Sequence, residues 1–154
     1  YLREVHGSSR AEILELVVPA AGAYFGEVVR RHLGEARWYL DGDDFAGVRL
    51  EFKRWFLSFN PVGIALETVT GEDVEGYGSH LELLREERAM VHEALERAGN
   101  VRNEDYYRLA GRFEVLELVT ALLSEKASQS LDPERTFGPE VYAALRDTPK
   151  SVLH

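Results

Sequence analysis

The sequence predicts an α+β fold, and three observations carry that prediction. A long apolar run near the N-terminus has helix-capping chemistry at both ends. An aromatic and β-branched stretch follows it, and the second half of the chain shows successive amphipathic helical patterns. This order gives an N-terminal helix, a small antiparallel β-meander, and a helical C-terminal half packed on the sheet, with residues 1–154 read as one domain.

Ser9 followed by Glu12 has the spacing of a capping box, and Gly34 stands where the residue after a helix end belongs, so the first helix covers 10–33. Pro19 inside it either bends the helix or begins a second one. The strands fall within about 36–59: Trp38 to Leu40, Val48 to Phe52 and Trp55 to Phe59. "DGDD" and "AG" supply turn residues between the first two. The apolar set Val48, Leu50, Phe52 changes parity to Trp55, Leu57, Phe59, which places a bulge or tight turn near Lys53-Arg54.

Asn60, Pro61 and Gly71 read as cap, first turn and stop of a short helix over 61–70. Leu81, Leu84, Val91 and Leu95 form one stripe of a helix over 80–98. A helix over 103–128, capped by Asn103, carries Tyr106, Leu109, Phe113, Leu116 and Leu123 inward. Pro139 opens a last helix over 139–146.

Composition narrows the function classes. The chain has no cysteine, which excludes disulfides and thiolate chemistry and fits a cytoplasmic protein. The opening "YLREVHGSSR" lacks the apolar core of a signal peptide, and the missing initial methionine suggests a piece of something longer. The run from Ile13 to Val29 is broken by Glu15, Pro19 and Glu27, short of the roughly 20 clean residues a membrane span needs. Net charge is −9, and residues 61–100 hold nine acids against three bases. That field opposes nucleic-acid backbones and suits a basic protein partner or a cation.

The segment "GAYFGEVVRRHLG" sets Glu27 inside an apolar run. An unpaired buried carboxylate costs several kcal/mol, so the expectation is an internal ion pair tying the first helix to the strand near Trp38. Arg30, Arg31 and Arg37 are within reach, and Glu27 to Arg31 has the favourable i,i+4 orientation. A reacting carboxylate is the alternative. Gly22 and Gly26, four apart, mark a face of close backbone approach.

No catalytic residue, cofactor or metal site is expected. "HEALE" at His92 lacks the second histidine of a zinc-protease pattern, and "DGDD" lacks the spacing of a calcium loop. Nucleophile elbows and phosphate-binding glycine loops are absent from the sequence. Trp38, Tyr39 and Trp55 interleave with Arg37, Arg49, Lys53 and Arg54, but such alternation on strands belongs more often to a sheet's packing face than to base stacking.

The run "GAYFGEVVRRHLG", then Trp38 and "LSFNPVGIALE", resembles a segment of small uncharacterised bacterial domains in which a Gly-Ala-Tyr-x-Gly-Glu helix precedes a tryptophan-bearing strand. The resemblance implies a bacterial cytoplasmic origin, an α+β fold, and one structural unit of Gly22, Tyr24, Gly26, Glu27 and Trp38. It implies no activity.

Two functions of different class follow. The first is a non-catalytic binding or regulatory domain that offers an acidic strip, Glu82, Glu86, Glu93 and Glu96, to a basic protein. The second is a small-molecule enzyme or sensor with a pocket between the first helix and the sheet, built from Tyr24, Glu27, Arg31 and Trp38.

Overall fold

The structure, a computed structural model, describes residues 10–99 and 107–147. Its element order is α1 (Arg10–His32), β1 (Ala36–Tyr39), a short 3-10 turn (Phe45–Gly47), β2 (Arg49–Phe52), β3 (Leu57–Phe59), α2 (Pro61–Thr70), β4 (Glu82–Leu83), α3 (Arg85–Arg97), α4 (Leu109–Ser128) and α5 (Pro139–Arg146). The expected α+β architecture is the one observed. Four strands form an antiparallel meander in the order β1-β2-β3-β4.

α1 runs unbroken through Pro19. Asn60 caps α2 as expected: its side chain accepts from the backbone N–H groups of Val62 and Gly63, Pro61 fills the first turn, and Gly71 closes the helix in the left-handed region at φ 74°. Asp44, from "DGDD", accepts from the Ala46 N–H and starts the 3-10 turn. The parity change is a bend over Lys53–Trp55 that joins β2 to β3.

Two predicted boundaries are corrected. The helix expected over 80–98 begins only at Arg85, because Glu82 and Leu83 pair with Ser58 and Leu57 as a fourth strand. Leu81 and Leu84 match a helical stripe, but a strand two residues long leaves no alternation to recognise. Glu86 and Glu87 supply the acidic first turn of α3. The helix expected over 103–128 is described from Leu109; Asn103 and Tyr106, like Ser9 at the head of α1, lie outside the described residues.

The two sheet faces differ in chemistry. Leu50, Phe52, Leu57 and Phe59 are fully buried on one face, against Phe25 and Val29 of α1, Ile64 of α2, and Leu116, Val119 and Leu123 of α4. Alternation along the strands sends the neighbouring residues to the opposite face. There Arg37, Glu51, Ser58 and Glu82 stand in register across all four strands. Ser58 donates to Glu82 at 3.0 Å, and Arg49 donates to the same oxygen at 3.1 Å.

α5 covers part of this polar face. Its Arg146 lies 2.7 Å from Glu51, which also accepts from Arg37 at 3.2 Å, and the Arg146 guanidinium stacks 4.6 Å from the Tyr39 ring centre. Tyr142 of α5 is buried against Phe56, ring centres 4.4 Å apart. Its hydroxyl donates to the Phe52 carbonyl at 2.6 Å and accepts from the Leu57 N–H at 3.1 Å, which ties α5 to both ends of the β2–β3 bend.

Candidate functional site

Gly22 and Gly26 do mark a face of close approach. A Cβ on Gly22 would lie 2.6 Å from the Val62 Cα, and one on Gly26 would lie 2.2 Å from the Trp38 ring. Trp38 therefore packs against α1 at Gly26, and the concavity between the end of α1 and the sheet lies beside it, lined by Arg30, Arg31, Gly34, Ala36 and Lys53. The Trp38 indole N–H donates to Glu27 at 3.1 Å, and Arg30 holds the same carboxylate through both oxygens, at 2.6 and 3.0 Å. The ion pair of Glu27 stays within α1, and its tie to β1 is the hydrogen bond from Trp38. Its arginine is Arg30 at i+3, not Arg31, whose side chain is exposed. The carboxylate is not buried either: 39% of its side chain meets solvent. Tyr24 stands outside this unit, 73% exposed.

Hydrogen bonds from Arg30 and then Trp38 hold the Glu27 carboxyl at about 2, below its ordinary 4.5. Between those values the unfolded chain binds the extra proton, so this contact stabilises the protein above pH 4.5 and loses its effect as pH falls toward about 2. Glu27→Gln is expected to lower the melting temperature slightly at neutral pH and to flatten its decline across that acid window. Circular dichroism melts of both proteins test this; parallel declines would sink it.

The four acids of the expected strip do not share one helix face. Glu82 is on β4, engaged by Arg49 and Ser58. On α3, Glu93 pairs with Arg97 at 3.1 Å and Glu96 with His92 at 3.0 Å. An exposed i,i+4 pair such as Glu93–Arg97 is worth only about 0.3–0.5 kcal/mol, but it reduces the negative field that the helix presents. His92 is therefore a partner of Glu96, and among the described residues no group of three or more His, Asp or Glu is placed to hold a metal ion.

A concave site lies elsewhere, under the segment that leads into β4. A cavity of about 320 Å³ is walled by Ile64 of α2, Leu81 and Leu83, Val91 and Leu95 of α3, and Val115 and Leu116 of α4. Its polar lining is Ser79 and Arg112 within, with His80, Arg88 and His92 toward the mouth. No carboxylate lines it.

Behind the lining, one buried network holds the inner polar groups. Glu67 of α2, with no solvent exposure, accepts from Arg112 on one oxygen and from the Ser79 hydroxyl on the other. A buried carboxylate is tolerated when a cation and further hydrogen bonds satisfy it. The network also joins α2, the segment before β4, and α4, which are three of the cavity's walls. The Ser79 hydroxyl is committed to Glu67 and is 3% exposed.

Sequence reasoning missed Glu67 and Arg112. Glu67 in "VGIALETVT" carries the same signal as Glu27, a lone acid within an apolar helix. Its cation is 45 residues away, so no local spacing pairs the two. Comparison with protein-family models, curated proteins and solved structures returns no match for this chain.

Proposed function

We propose that the chain is a ligand-binding domain whose cavity between α2, β4, α3 and α4 takes a small molecule with an apolar body and an anionic head. What carries the reading is the lining itself: apolar walls, cationic or imidazole polar groups, and no carboxylate. The volume of about 320 Å³ falls at the lower end of the roughly 300–1,000 Å³ typical of small-molecule sites. Arg88 and His80 at the mouth offer the polar contacts for the head group, while Val91, Leu95 and Val115 surround the body. The reading keeps the small-molecule class and moves its pocket from α1 to the α3–α4 side of the core. It is favoured over an acidic protein-docking strip because Glu82 is engaged by Arg49 and Ser58 on the sheet and Glu93 by Arg97 on α3, so the four acids do not form one free face.

Calorimetric titration with octanoate and with octanol tests it. Octanoate is expected to bind about tenfold or more tightly than octanol, the difference expected for a charge-assisted contact. Val115→Trp, which fills the cavity, is expected to abolish binding. Equal affinity for the two probes, or unchanged binding in Val115→Trp, would overturn the proposal.

A further inference from the structure

The outer side of α1 departs from the pattern of a surface helix, which turns charged residues to water. No charged residue stands between Glu15 and Glu27. Within that interval Leu16 is 76% and Tyr24 73% exposed, and Ala20 and Ala23 are exposed beside them. Exposed apolar patches of this kind mark contact surfaces. The patch is separate from the cavity proposed above, to whose lining α1 contributes nothing.

The spacing along this side is symmetric. Glu12, Leu16, Ala20, Ala23, Glu27 and Arg31 follow at steps of four, four, three, four and four residues, which keeps them on one stripe of the helix. The series of steps reads the same in reverse, and its midpoint falls between Ala20 and Ala23. Two copies of α1 crossing antiparallel about that midpoint set Ala20 against Ala23, Leu16 against position 27, and Glu12 against Arg31, each contact made twice. Glu12 and Arg31 are opposite in charge and both exposed, and neither has a hydrogen bond or ion pair among the described residues. A parallel pairing would instead set like charges together at both ends. At position 27 the carboxylate is already held by Arg30 and the Trp38 indole, so Leu16 meets no stranded charge there. The two alanines let the helix axes approach toward the lower end of the usual range of about 8–10 Å. We propose that α1 is the contact surface for a second copy of this chain, in a two-fold antiparallel pair centred between Ala20 and Ala23 and closed at each end by Glu12 with Arg31 of the other copy. This self-complementary order of charge is what selects a second copy over an unrelated helix, and it fixes the direction of the pair.

Sedimentation equilibrium of the whole chain at neutral pH is the experiment. One helix face is a small interface, so the dimer is expected to form with a dissociation constant of roughly tens of micromolar. Ala20→Glu sets a charge at the centre of the pair on a side chain exposed in the monomer, and is expected to weaken association about tenfold or more. Glu12→Arg and Arg31→Glu each bring like charges together at both ends and are expected to weaken it by a similar factor; the double variant Glu12→Arg/Arg31→Glu is expected to restore it. Circular dichroism establishes that each variant is folded. Octanoate binding at the cavity is expected to be unchanged in Ala20→Glu, so failure of either proposal is read separately. A wild type that stays monomeric at about 0.5 mM would overturn the proposal and leave the face to a partner other than itself. Full association of Ala20→Glu, or a double charge variant no tighter than either single one, would overturn it as well.

Discussion

Arg112→Met is expected to destabilise the protein by about 3–5 kcal/mol, the magnitude seen when one member of a buried ion pair is removed. Arg112 and Glu67 are nearly inaccessible to solvent, and Ser79 on the second oxygen cannot replace a cation. For a chain of this size the loss corresponds to a drop of roughly 6–20 °C in melting temperature. The double variant Arg112→Met/Glu67→Leu is expected to recover most of that, because an apolar pair of similar volume avoids the desolvation of both charges. Urea denaturation of the wild type, both single variants and the double variant gives the coupling directly. A double variant as unstable as Arg112→Met would show that the penalty comes from lost packing and not from a stranded carboxylate.

Tyr142→Ala is expected to cost about 3–5 kcal/mol, as deletion of a fully buried aromatic ring does. Tyr142→Phe isolates the hydroxyl. It keeps the stack on Phe56 but leaves the Leu57 N–H and the Phe52 carbonyl without their side-chain partner, at about 1–3 kcal/mol. The two variants together separate ring from hydroxyl at the point where α5 grips the sheet. If Tyr142→Phe proves as stable as the wild type in urea, the hydroxyl does not anchor the β2–β3 bend.

How much of this was legible in the sequence depended on how local the signal was. The caps of α2, the bounds of α5 and the parity change at Lys53-Arg54 lie within a few residues of their causes, and the structure follows them. β4 was hidden because Leu81 and Leu84 satisfy a helical period as well as a strand edge does. Glu27 was legible as tied to a cation but not as half-exposed, because its apolar sequence neighbours do not show which side of α1 the sheet covers. The cavity was the least legible feature. Its walls come from α2, β4, α3 and α4, and the groups that give it character meet only after the chain has folded. Glu51 shows the same limit: in the sequence it is an ordinary polar residue of a strand, yet it is fully buried under Arg37 and Arg146.

That last arrangement bears on synthesis. The Phe52 carbonyl and the tyrosine that donates to it are 90 positions apart, and the second guanidinium over Glu51 arrives four residues after that tyrosine. A nascent chain emerging from the ribosome has made all of β1, β2 and β3 long before either group exists. Until then Glu51 has one cation where the finished protein has two, and the back of the meander stands open to water. The hairpin is laid down early and locked late, by the final helix the ribosome delivers among the described residues.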